Sequence, residues 1–158
     1  MKKHATRFVW AILLGGLAAG ALDLLSAFAT LTSKTVTEIG ILHYVASGLI
    51  GPSAFTGGTA TAVLGVAVHF GLTLIMAAVF VVIAALVPVL LRRPWLWGLV
   101  YGLVTYLVMT RVAAPLSAAD WKIPQGWAVV AGLLAHCFYV GVPIAFIARY
   151  FMSADARR

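Results

Sequence analysis

Four side chains able to move a proton or hold a metal lie inside long apolar runs: Asp23, His69, Tyr101 and His136. Keeping an Asp in hydrocarbon costs about 2.5 to 3.5 kcal/mol on insertion scales, so such residues mark a pathway, a cofactor or a buried hydrogen bond. Counted inward from Lys34, Gly58, Arg111 and Gln125, each stands ten or eleven residues in, which is ~15 to 17 Å along a helix. One polar residue per run, at one level, is the pattern that chemistry would need. Three chemistries fit it. Asp23 can accept hydrogen bonds from a His or from Tyr101 and act only as a clasp, each bond adding about 0.6 kcal/mol. His69 and His136 can ligate haem b from opposite faces, with Gly65 and Gly132 making room and Arg111 meeting a propionate, or can join Asp23 around a divalent metal. The same residues can relay protons or line a small-solute path, with His43, Ser47 and Arg111 at an outer mouth.

The elements that must hold these residues follow from composition. Hydrophobic residues make up 63% of the 158 and charged residues 9%, against roughly 45 to 50% and 25% in a soluble domain. An α-helix needs about 20 apolar residues to cross ~30 Å of hydrocarbon, and four runs qualify: residues 8–30, 59–91, 95–114 and 127–150. The second would be ~50 Å long, so it must tilt, project or kink near Pro88. Between the first two runs, Thr35 and Glu38 have capping-box spacing and Gly51-Pro52 is a stop signal. The segment 36–51 is therefore expected as a short outer helix, interfacial or re-entrant, that covers the bundle. The expected fold is an all-α, up-down four-transmembrane-helix bundle with that lid, forming a single membrane domain.

Charge sets the expected orientation. Lys2, Lys3, Arg7, Arg92, Arg93, Arg149, Arg157 and Arg158 flank one side, and only Lys34, Arg111 and Lys122 the other. The positive-inside rule then puts both termini in the cytoplasm. The net charge of +7 reflects this topology and not a nucleic-acid partner, because no basic face forms. Lys2 and Lys3, an apolar run and Ala27-Phe28-Ala29 imitate a cleaved secretory signal, but Asp23 and the length of the run favour a retained span. One Cys excludes a disulfide framework and covalent haem. No GxSxG, HExxH, phosphate loop or nucleotide fingerprint occurs, so nothing supports an enzyme.

Small residues accompany each polar one at helical spacing: Gly16, Gly20, Asp23 and Ala27; Gly65, His69, Thr73 and Ala77; Gly98, Tyr101, Gly102 and Thr105; Gly132 and His136. Such seams are helix-packing faces; the GxxxG pairs at Gly16/Gly20 and Gly98/Gly102 suggest a duplicated two-helix hairpin, and the Gly-lined surface of so short a chain is expected to be covered by a small homo-oligomer or by lipid. Pro143 should kink the last run.

The segments GLAAGALDLLSAF, LGVAVHFGL, RRPWLWGLVYGLVTYLVM and HCFYVGVPIA resemble small four-helix bacterial inner-membrane proteins of YagU-like layout. The resemblance spans residues 16–148 and implies a bacterial cytoplasmic-membrane location with four crossings; it implies no activity.

Overall fold

The computed structural model describes residues 2–153, with side chains from residue 5 onward. Arg157 and Arg158, and the side chains of Lys2, Lys3 and His4, lie outside what is described. Among the described residues every regular element is helical. Helix α1 runs Lys2–Leu31. Helix α2, Glu38–Ile50, begins at Thr37, whose hydroxyl accepts the Gly40 N–H at 3.1 Å. The cap is thus Thr37, two residues later than the Thr35 the sequence suggested, with Glu38 placed in the first turn where a negative charge meets the positive helix end. Gly51, at φ 66°, ends α2, and a tight 3-10 stretch follows at Gly51–Thr56.

Helix α3 is Gly58–Leu86. It stops because Pro88 forces the preceding residue out of helical geometry, and Pro88–Leu91 forms a separate 3-10 turn. The long second run is therefore a 29-residue helix and a turn, not one projecting rod. Helix α4, Pro94–Leu116, and helix α5, Trp127–Met152, complete the chain. Each contains a widened π stretch, Met109–Ala113 in α4 and Ala135–Gly141 in α5. Pro115 and Pro143 sit two residues beyond these stretches. A proline lacks the N–H for the carbonyl four residues back and its ring crowds that carbonyl, so the turn before it opens. Pro143, the expected kink position, follows the second of these π stretches.

Five helices among the described residues are long and apolar enough to cross a membrane: Ala5–Leu31, Glu38–Thr56, Gly58–Leu86, Pro94–Leu116 and Trp127–Met152. The sequence reading counted four, because it ended α2 at Gly51 and left out the apolar turn that extends it. Large apolar side chains face outward along these helices, among them Leu25 (63% exposed), Ile75 (61%) and Leu86 (78%). Water would not tolerate that surface, whereas lipid solvates it at no cost. The apolar helices support a multi-pass membrane protein in a lipid bilayer.

Small residues set the packing. A side chain at Gly16 would stand 2.7 Å from the Leu74 Cα, and one at Gly20 2.7 Å from the Thr73 hydroxyl. Helix α1 can lie on α3 only because both positions are bare. Gly15 meets Ile144 and Ile147 of α5 on its other side. Gly98 and Gly102 of α4 abut the α5 backbone at Gly141, Val142, His136 and Cys137. Both GxxxG pairs thus pack against neighbouring helices of the same chain. The dry core lies where α1, α3 and α5 meet, with Phe80, Val81, Val140, Ile144 and Ala77 buried and Phe8, Ile12 and Tyr101 packed against them. Helix α4 lies along α5, and Tyr101 ties it to α3 by ring contact with Phe80 at 5.0 Å and a hydroxyl bond to the Met76 carbonyl at 2.6 Å.

Candidate functional site

Because α4 follows α5 and α1 follows α3, the space between α3 and α4 is not filled by backbone. A cavity of about 430 Å³ occupies it. Val68, Leu72 and Met76 of α3 form one wall, and Met109, Thr110 and Ala113 of α4 with Ala128, Gly132 and His136 of α5 form the facing one. Both π stretches contribute, through Met109, Thr110 and Ala113 and through His136 and Val140. Opening those turns turns side chains toward the gap that a regular helix would aim elsewhere. Tyr44, Val45, Gly48 and Leu49 of α2 and Ser117, Ala119, Trp121 and Pro124 of the α4–α5 connection line the end of the cavity. The Ala118 N–H bonds the Gly48 carbonyl at 3.0 Å, which fastens the connection to α2.

Asp23 and His69 line this cavity together. The His69 Nε2 lies 2.9 Å from the Gly20 carbonyl and 4.0 Å from the Asp23 carboxylate. A carbonyl can only accept, so Nε2 carries the proton and donates to Gly20; at 4.0 Å the carboxylate is a neighbour and not a hydrogen-bond partner. Asp23 accepts no hydrogen bond from any described side chain or backbone N–H, while its side chain is only 18% exposed. Thr73, one turn along α3, spends its hydroxyl on the Phe70 carbonyl at 3.1 Å.

His136 lines the opposite wall. Its Nδ1 donates to the Gly132 carbonyl of its own helix at 3.0 Å, and its ring meets Tyr106 edge to face at 5.6 Å. Gly132 leaves the room that Tyr106 needs, since a side chain there would stand 3.0 Å from the tyrosine ring. Of the four residues singled out by level, the structure brings Asp23, His69 and His136 to one cavity and leaves Tyr101 out of it. Tyr101 serves the α3–α4 contact described above. Tyr106 takes the place expected of it. The depth count for α4 started from Arg111, but the helix continues to Leu116; counted from Leu116, the tenth residue inward is Tyr106.

The expected mouth residues sit elsewhere. His43 Nε2 bonds the Gly58 carbonyl at 2.8 Å and its ring touches Phe55 at 6.3 Å, closing the corner between α2 and α3. Ser47 is buried and donates to the Tyr44 carbonyl at 2.7 Å. Arg111 is exposed and lines no part of the cavity. Sequence reasoning missed Trp121, whose indole Nε1–H is buried on the cavity side of the connection without an acceptor. A loop residue carries no periodicity, and only the fold of the connection turns this side chain inward.

Among the described residues no three His, Cys, Asp or Glu side chains are grouped closely enough to hold a metal ion. The set of His69, His136 and Asp23 is therefore not assembled as a divalent-metal site. For haem b, the His69 Nε2 and the His136 Nδ1 donate to backbone carbonyls, which leaves Nδ1 of His69 and Nε2 of His136 as the nitrogens that would ligate, while Arg111 lines no part of the cavity. No family model matches the chain, and comparison with curated proteins and with solved structures finds no match.

Proposed function

We propose that the chain is a four-crossing bacterial inner-membrane protein that binds and handles a small, largely apolar solute in the cavity between α3 and α4. Four crossings are supported by how the helices pair. Phe8 lies by Ala84, Gly16 by Leu74, Gly20 by Phe70 and Asp23 by His69, so α1 and α3 run antiparallel. Leu31 and Gly58 then fall at one end of the bundle. A segment that leaves and returns at the same end does not cross, which makes α2 and its 3-10 extension a re-entrant lid. The opposite end carries Arg7 beside Pro88, Leu91 and Met152, with Arg92, Arg93 and Arg149 close in sequence. By the positive-inside rule that end, and both termini with it, is cytoplasmic. The lid then faces outward, and the layout is the basis for proposing kinship with the YagU-like proteins.

The observation that carries the binding reading is an aspartate, set against a cavity of about 430 Å³ with mainly apolar walls, that receives no hydrogen bond from the described residues. Ligand pockets are apolar enclosures of roughly 300 to 1,000 Å³ with a few convergent polar groups. Nothing in the packing of α1 on α3 needs the carboxylate, because the His69 bond to Gly20 already fastens that pair. The purely structural reading accounts for His69 and Tyr101, both spent on backbone carbonyls, and leaves Asp23 and the cavity without a role.

Native mass spectrometry in lipid nanodiscs tests the proposal with a panel of small aromatic solutes. Saturable one-to-one binding to the wild type, lost in Leu72→Trp because the indole fills the apolar wall, is the expected result. Binding unchanged by that substitution would place the solute elsewhere.

A further inference from the structure

The lone carboxylate and the aromatic lining of the cavity define the class of solute it takes. A solute class can be assigned only if the cavity binds a solute, as proposed above. Along the walls of α3 and α4, Thr73 donates to the Phe70 carbonyl and Thr110 to the Tyr106 carbonyl at 2.8 Å, so neither threonine offers a donor to a ligand. Both imidazoles donate to backbone carbonyls, His69 through Nε2 and His136 through Nδ1. In the neutral ring the second nitrogen is then an acceptor, at Nδ1 of His69 and Nε2 of His136. Trp121 Nε1–H and the Tyr44 and Tyr106 hydroxyls add unspent donors, so neutral donors and acceptors are both present, and what is unbalanced is the charge of Asp23. Among the described residues that line the cavity Asp23 is the only acidic one and none is Lys or Arg, so a buried carboxylate stands there without a cationic partner from the lining.

Aromatic faces surround the same space. Tyr44, Tyr106 and Trp121 line it along with the His136 ring. Aromatic faces attract cations, Trp most strongly and more so away from water. A neutral donor such as an alcohol satisfies one carboxylate lone pair and gains nothing from the rings. A protonated amine supplies up to three donors and the charge that both the carboxylate and the rings favour.

We infer that the cavity recognises a lipophilic primary or secondary amine as its ammonium ion, with the nitrogen at Asp23 and the hydrocarbon body between Leu72, Met76 and Val140. His69 sets the orientation of the site without competing for the ligand, since its Nε2 proton stays on Gly20. The Trp121 indole at the lid end is placed to cover the ligand.

Three probes of matched shape test this: 2-phenylethylamine, 2-phenylethanol and 3-phenylpropanoate, titrated by equilibrium dialysis into protein in nanodiscs at neutral pH. Empty nanodiscs correct for partition into lipid. The amine should bind saturably and at least tenfold more tightly than the alcohol, and the carboxylate should not bind. Asp23→Asn should bring the amine down to the level of the alcohol. Because no protein group depends on that carboxylate, Asp23→Asn should elute and melt as the wild type does. Should it misfold, Leu72→Trp supplies the comparison, removing amine and alcohol binding together. Amine and alcohol binding alike, with Asp23→Asn silent, overturns the amine assignment while leaving a binding cavity. Absence of saturable binding by all three overturns the cavity reading itself.

Discussion

Replacing Gly16 by Ala puts the packing of α1 on α3 under direct strain. The new methyl would lie 2.7 Å from the Leu74 Cα and 2.8 Å from its Cδ2, where ordinary contact begins near 3.4 Å. The Leu74 side chain can turn away, but its Cα cannot, so the helices must part by about 0.7 Å or more. One turn along, the bond from His69 to the Gly20 carbonyl, now 2.9 Å, would open to ~3.6 Å and cease to be a hydrogen bond. Overpacking of this kind costs about 1 to 3 kcal/mol, and the lost bond about 0.6 kcal/mol. Ala in place of Gly in a helix returns roughly 0.5 to 1 kcal/mol. The net expectation is a loss of about 0.6 to 3 kcal/mol, or roughly a three- to 160-fold shift in the unfolding equilibrium. Gly71 is the internal control: it is on the same helix pair, and nothing lies within 4 Å of a side chain placed there. Gly71→Ala should be neutral or slightly stabilising. Reversible unfolding of both variants in mixed micelles, followed by circular dichroism, gives the comparison. Equal stability of the two variants would refute the account of how α1 and α3 meet.

Tyr101→Phe removes the hydroxyl bond to the Met76 carbonyl and should cost about 0.6 to 1.7 kcal/mol, with solute binding unchanged because the residue does not line the cavity; chemical unfolding alongside a binding titration checks both halves. For topology, single cysteines at Ser33, Ala118 and Arg93 in a Cys137→Ala background, probed with an impermeant maleimide on intact cells, should label at the first two positions and not at the third. Labelling at Arg93 alone would invert the orientation.

The sequence made the apolar runs legible because hydrocarbon imposes a length and excludes charge, and α1, α3, α4 and α5 fall close to the bounds that rule predicts. It made less of α2, because Gly51-Pro52 reads as a stop while the chain continues as an apolar 3-10 turn to Thr56. The site was legible in part. Asp23, His69 and His136 stand out from composition alone, since a polar residue amid hydrocarbon has to be used for something. Tyr101 and Tyr106 could not be told apart by counting, because the place where α4 ends depends on a π turn that lets Pro115 lie inside the helix. Trp121 was invisible as a site residue for another reason: a loop side chain has no periodicity, and its direction follows from the Ala118 bond to Gly48, a tertiary contact.

Photolabelling meets the central claim most directly. A small phenyl-diazirine solute, irradiated with the protein in nanodiscs and mapped by peptide mass spectrometry, should mark the cavity wall at Leu72, Met76, Thr110 or Val140 and be displaced by excess unlabelled solute. Adducts confined to the lipid-facing residues Leu25, Ile75 and Leu86, and indifferent to competitor, would mean that the space between α3 and α4 holds no ligand.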